Sequence, residues 1–141
     1  MILPDVNILV YAFREDSPRH TEIRRWLEDL VLSEASFGLS ELVLSGFLRV
    51  VTHPRIFDPP TPIDTALEFA ETLRDLPNCI LLTPGTRHWS IFQRLCRQVA
   101  THGNHVPDAY LAALAIESGS EWVTTDRGFA RFPELRWSMP G

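Results

Sequence analysis

Three carboxylates stand at places where a folded chain could bring them together: Asp5, Asp108 and Asp126. Like charges held close destabilise one another unless they take up protons or bind a cation. A donor set made only of oxygen, with no cysteine and no obligatory histidine, suits Mg²⁺, with Mn²⁺ as a possible substitute. Such an ion acidifies a water and stabilises charge developing on a phosphodiester. The chemistry these residues could do is therefore hydrolysis of a phosphate ester. Each also has an ordinary structural reading. Asp5 can simply end a strand, Asp108 can cap a helix, and Asp126 before Arg127-Gly128 can start a turn.

The elements that must position them follow from local signals. Ile2-Leu3 read as a short buried strand ending at Pro4-Asp5. Asn7 is a good N-cap for a helix over Ile8–Phe13. Ser17-Pro18 opens a helix reaching Leu32, with serine as cap and proline at the first position. Ser36–Leu39 is a strand, and Ser40 caps a helix from Glu41 to about Thr52. Thr61-Pro62 opens a helix ended by Pro77. Cys79–Thr83 is a strand, and Arg87–Thr101 a helix. The segment Ala109–Ile116 is apolar on every side, the mark of a buried helix. It carries Asp108 in its first turn and stops at Gly119. Glu121–Thr125 is a strand with Asp126 directly beyond it, Arg127–Arg131 a helical turn, and Leu135–Trp137 a final edge strand.

Strands alternating with helices predict an α/β fold: one domain over 1–141, a central, mostly parallel, twisted sheet of about four to five strands, and helices on both faces. In open parallel sheets, sites lie outside the carboxyl ends of the strands. Asp5 and Asp126 stand at such ends, and the Asp108 helix can face the same edge.

Composition narrows the function. The chain has 141 residues, 45% of them hydrophobic and 22% charged, which describes an ordinary globular protein. No apolar run approaches the ~20 residues of a membrane helix, and the N-terminus has no secretory pattern. Cys79 and Cys96 lack zinc-ligand spacing and read as free thiols. A cytoplasmic protein with no membrane partner is expected. The net charge of −5 excludes nucleic-acid binding by bulk charge. A phosphate substrate must be met by a local basic patch or a bound cation. His53, Arg49, Arg55, Arg127 and Arg131 are candidates for the patch, and arginine suits phosphate because its fork binds two oxygens.

Asp5-Val6-Asn7 after the first strand, Pro107-Asp108-Ala109-Tyr110-Leu111-Ala112-Ala113 and Thr124-Thr125-Asp126-Arg127-Gly128-Phe129 together resemble a PIN-domain ribonuclease. The stretch Phe47-Leu48-Arg49-Val50-Val51-Thr52-His53-Pro54-Arg55-Ile56-Phe57 is similar to a branch of the VapC toxins of type II toxin–antitoxin systems. The resemblance spans essentially the whole chain. It implies a Mg²⁺-dependent endoribonuclease, a homodimer, and a cognate VapB-type antitoxin that covers the site. It also implies that Asp5 and Asp108 are metal ligands, that Asp126 is the third acidic residue, and that Asn7 and Thr125 give hydrogen-bonding support. Cleavage would leave a 5′-phosphate and a 3′-hydroxyl.

One departure stands out. Most members carry a glutamate on the second main helix, where this chain has Gly46. Glu41, about one and a half turns earlier, is the nearest carboxylate and a candidate replacement, although its place at a helix start also suits the helix dipole. A phosphatase of the haloacid-dehalogenase type, which also opens with a strand and D-x-D/N, would need a downstream lysine, and the chain has none. A catalytically weak RNA- or partner-binding module is the alternative that Gly46 favours.

Overall fold

The computed structural model describes all of residues 1–141. Five parallel strands, β1 (Ile2–Pro4), β2 (Phe37–Ser40), β3 (Cys79–Leu82), β4 (Glu121–Val123) and β5 (Trp137–Ser138), form one sheet in the order β3-β2-β1-β4-β5. Six helices connect them: α1 (Val6–Phe13), α2 (His20–Leu32), α3 (Glu41–Val51), α4 (Ile63–Arg74), α5 (His88–Gln98) and α6 (Val106–Ser118). The chain walks outward from β1 to β3 and then returns to the other side of β1. The order therefore reverses between β1 and β4, the place where open α/β sheets form their binding crevice.

Right-handed crossovers put the helices of the outward walk on one face and those of the return on the other. The helix contacts divide in the same way. α1 packs on α2 and α3, and α3 on α4, while α5 packs on α6. The expected α/β class, with a parallel sheet between helices, is what the chain adopts.

Local details differ from the sequence-based expectations, for identifiable reasons. The cap of α1 is Asp5, not Asn7: the Asp5 carboxylate accepts from Val6 N, so the helix begins two residues early. Pro4 is tolerated inside β1 because Asp5 N, the next donor along, completes the ladder to Val123 O at 2.9 Å. α2 starts at His20, since Arg19 takes a left-handed conformation and the Ser17 hydroxyl turns back to the carbonyls of Tyr11 and Arg14. Thr61 does not cap α4. Its hydroxyl accepts from Arg14 Nη1. β3, the most apolar strand signal, is an edge strand with Ile80 and Leu81 partly exposed. β4 ends at Val123, freeing Thr124 and Thr125 from the ladder on the β1 side.

α6 is buried as its composition demands: Ala109, Leu111, Ala112, Ala113, Leu114 and Ala115 are all in the core. Its alanines allow close approach to α5, and this packing fixes the axis that carries Asp108. Gly119 ends the helix at φ 66°. A Cβ there would meet nothing within 4 Å, so any cost of substitution comes from the backbone alone. Gly119→Ala is expected to cost about 1–2 kcal/mol in denaturant unfolding. A neutral or stabilising result would contradict a strained left-handed cap.

Candidate functional site

The strand ends meet in a hydrogen-bonded junction. Asp5 follows β1, and its side chain is buried. Its Oδ1 accepts from Val6 N at 2.6 Å, and its Oδ2 accepts from the Thr124 hydroxyl at 2.7 Å and from Asn7 Nδ2 at 3.2 Å. Thr124 stands just past β4 and is fully buried. Its hydroxyl also accepts from Asn7 Nδ2 at 3.1 Å and from Asp126 N at 3.0 Å. A hydroxyl offers one donor and two acceptor directions, so Thr124 is saturated. Asn7 Oδ1 closes the junction by accepting from Thr125 N at 3.1 Å. A carboxylate has about four lone-pair directions; three of Asp5's are taken, and one on Oδ1 is left.

Asp126 sits at the surface on the next turn, its Oδ1 accepting from Gly128 N at 2.8 Å. Asp108 projects from the first turn of α6. It faces Arg131, with Nη1 at 3.5 Å from Asp108 Oδ2, and His105, with Nδ1 at 3.7 Å. Arg131 is itself held by a 2.7 Å hydrogen bond to His105 Nδ1 and by the Phe132 ring.

Asp5, Asn7, Asp108 and Asp126 all line one cavity of about 780 Å³, within the range of small-ligand sites. α1 contributes Val10 and Tyr11, and α3 contributes Leu42, Ser45, Gly46, Arg49 and Val50. The carboxylates feel one another. Burial raises the Asp5 carboxyl to about 6 despite the bonds from Thr124 and Val6, and the charges of Asp108 and Asp126 add to the rise. Burial also raises Asp108, and Asp126 pushes it the same way, while Arg131 and His105 pull it down. The donors are hard oxygens, which fit a divalent cation of the Mg²⁺ type. No three acidic or imidazole groups already converge tightly enough to hold one ion among themselves. One or two carboxylates with water completing the shell is the arrangement this geometry suits.

Two sequence-based expectations need correction. Glu41 does not reach the cavity. It is the first residue of α3, its side chain is 70% exposed, and its nearest partner is Arg74 at 3.8 Å. The lining positions 42, 45, 46, 49 and 50 form an i, i+3, i+4, i+7, i+8 stripe, and Glu41 lies off it. Thr125 gives hydrogen-bonding support through its backbone N–H, which donates to Asn7 Oδ1, but the hydroxyl in the junction is that of Thr124, a residue the sequence reading missed. The period-two alternation of a strand points neighbouring side chains to opposite faces; a one-residue slip decides which threonine faces the site. The family resemblance pointed to Thr125 and passed over the Thr124 hydroxyl.

The absence of a side chain at Gly46 has a packing cause. A Cβ there would lie 2.8 Å from Val6 Cγ2, and β-branched Val6 has little rotamer freedom with which to withdraw. Any side chain at position 46 therefore requires Val6 to shift.

Comparisons with known proteins agree with this architecture. A family model described as PIN domain matches residues 2–135. The chain is similar to Ribonuclease VapC43 of Mycobacterium tuberculosis, with 44% identity over 140 residues covering 99% of this chain and 95% of that protein. It is also similar to Ribonuclease VapC25 of the same organism, with 38% identity and 99% coverage of each. Among solved structures, VapBC2 from Rickettsia felis bound to a DNA fragment from its promoter has a similar fold, with TM-score 0.73, 19% identity, and coverage of 99% of this chain and 98% of that one. VapC20 of Mycobacterium tuberculosis, titled a Sarcin-Ricin loop cleaving toxin, matches at TM-score 0.67 and 16% identity, covering 96% of this chain and 99% of that one.

The site makes two measurable predictions. The Asp5 carboxyl is raised from 3.8 to about 6, so the folded chain holds a proton that the unfolded chain releases. Stability from this group is present at low pH and falls as pH rises between about 4 and 6, by up to about 3 kcal/mol. In metal-free protein, unfolding free energy should fall less steeply over that window for Asp5→Asn than for wild type; identical slopes would contradict the assignment. For Gly46→Ala, helix propensity alone predicts a gain of about 1 kcal/mol. The contact with Val6 predicts a loss of about 1–3 kcal/mol instead, partly recovered in the Val6→Ala background. A stabilised Gly46→Ala would refute the packing explanation.

Proposed function

The chain belongs to the PIN-domain family, in the branch of the VapC ribonucleases, and we propose that it is a Mg²⁺-dependent endoribonuclease acting as the toxin of a type II toxin–antitoxin pair. The observation that carries this reading is the junction of Asp5, Asn7 and Thr124. It ties the end of β1 to the end of β4, so that carboxylates from both ends of the chain open into one cavity with Asp108. Relatives named as ribonucleases over nearly the full length support the activity, and the VapBC complexes of similar fold support a VapB-type antitoxin as partner. A homodimer belongs to the same proposal. No helix is long and apolar enough to cross a membrane.

The divalent ion, with Mn²⁺ as substitute, would be held by Asp5 and Asp108 with Asp126 beside them, and would supply charge neutralisation of the phosphate and acidification of a water. The protein's own groups set the geometry. Asp5 keeps one lone-pair direction open because its other three are fixed by Val6, Asn7 and Thr124. Asp126 Oδ2 has no protein donor and is available to orient the attacking water and receive its proton. Water oxygen bonds to phosphorus as the P–O3′ bond breaks, leaving a 5′-phosphate and a 3′-hydroxyl once the departing oxygen takes a proton. Arg131, 3.5 Å from Asp108 Oδ2, balances part of the Asp108 charge. Packing accounts for the glycine at position 46, and the absence of a carboxylate there is the one feature that favours a binding-only module, which the cleavage assay separates from an enzyme.

Cleavage-site mapping on total RNA tests the reading. Asp5→Asn and Asp108→Asn, with folding intact, should abolish cuts that the wild type makes in Mg²⁺ or Mn²⁺. Thr124→Val should cost roughly 10–100-fold, as expected for a group that orients a ligand. Glu41→Gln should match the wild type. Full activity in Asp5→Asn or Asp108→Asn, or none in wild type with either metal, would sink the proposal.

A further inference from the structure

The cavity has one positive group among its lining residues, Arg49, which shares the lining with the carboxylates Asp5, Asp108 and Asp126. Arg49 belongs to none of the chain's seven ion pairs. It is an exposed residue on the stripe of α3 that forms one wall of the cavity, and its stripe neighbours are Leu42, Ser45, Gly46 and Val50. That wall therefore carries no carboxylate. Gly46, three residues before Arg49 on the same stripe, adds no side chain to that wall, and a Cβ there would lie 2.8 Å from Val6 Cγ2. The other arginine near the carboxylates, Arg131, is already engaged by Asp108, His105 and Phe132. Arg55 and Arg127 are not among the lining residues.

From this arrangement we propose that Arg49 is a substrate-binding residue, taking the non-bridging oxygens of an RNA backbone phosphate inside the cavity. The proposal rests on the ribonuclease reading and adds to it the residue that grips the strand. The physical need is specific. With a net charge of −5, the protein attracts no polyanion by its general field, and the cavity itself is acidic. A divalent ion neutralises the phosphate under attack. A neighbouring phosphate of the same strand, one nucleotide away from that ion, needs a cation of its own. A guanidinium left without a carboxylate partner can bind such a phosphate through two parallel N–H bonds without first breaking an ion pair. An arginine in the last turn of a helix is also favoured by the helix dipole, but lysine would serve that role equally and RNA affinity would not depend on it.

Three measurements separate these roles, the third being thermal unfolding of the same Arg49 variants. The first is steady-state cleavage in Mg²⁺ by wild type, Arg49→Lys and Arg49→Gln. The second is fluorescence anisotropy with a random-sequence single-stranded RNA pool, comparing Asp108→Asn with Asp108→Asn/Arg49→Gln so that cleavage does not interfere. Expected for Arg49→Gln are a KM raised about 10-fold with kcat within about twofold, a matching loss in RNA affinity, and a salt slope smaller by about 1. Arg49→Lys should recover only part of the affinity, because the two-pronged contact is lost while the charge remains. Unchanged KM, affinity and salt slope in Arg49→Gln, with the wild type cleaving normally, would overturn the assignment of Arg49 alone. Full recovery by Arg49→Lys of a defect seen only in thermal stability would assign the residue to the helix dipole and also overturn it. A wild type that neither cleaves nor binds RNA would remove the ribonuclease reading, and Arg49's role with it.

Discussion

The hydroxyl of Thr124 is the contact on which the site depends. It gives its proton to Asp5, 119 positions away in the chain, and accepts from Asn7 and from the backbone N–H of Asp126. One side chain thereby fixes three of the groups around the cavity. A buried carboxylate without donors would be costly or would stay protonated. Asp5 remains usable because Val6, Asn7 and Thr124 hold its oxygens in place, while burial still leaves its pKa near neutrality at about 6. The result is a carboxylate fixed in position whose proton is lost only near pH 6.

The sheet order supplies the setting. Asp5 and Asp126 leave adjacent central strands at the point where the chain reverses its direction of travel across the sheet, which opens a crevice there. α6 brings Asp108 to the same rim. Its nearly unbroken apolar surface is packed into the core, so the carboxylate on its first turn has little freedom to move. Electrostatic tension among three acidic groups is the consequence, and the chain relieves it in part with Arg131 at Asp108. The remainder is the charge that the proposed divalent ion would neutralise.

The α3 wall is shaped by close packing. α1 and α3 approach until a Cβ at position 46 would lie 2.8 Å from Val6 Cγ2, so any side chain there requires Val6 to shift. What could be read in the sequence as a missing catalytic group is the result of two helices packed at short range. The same stripe then presents Arg49 to the cavity, changing that wall from acidic to basic. Glu41, one residue off the stripe, is spent on a weak exposed contact with Arg74.

Much of this was legible in the residues alone. Alternating strand and helix signals determined an α/β fold with a parallel sheet, the apolar run Ala109–Ile116 determined a buried helix, and the motifs around Asp5, Asp108 and Asp126 marked the acidic groups. These are local properties, set by hydrophobic periodicity and capping chemistry within a few residues. Tertiary structure alone decided which hydroxyl of Thr124-Thr125 faces the junction, because strand alternation must first be anchored by register with β1. It also decided that Asp5 caps α1 ahead of Asn7, that Glu41 points away, and that Gly46 is demanded by Val6. Each of these turns on distances between segments far apart in the chain, and such distances exist only once the core has packed.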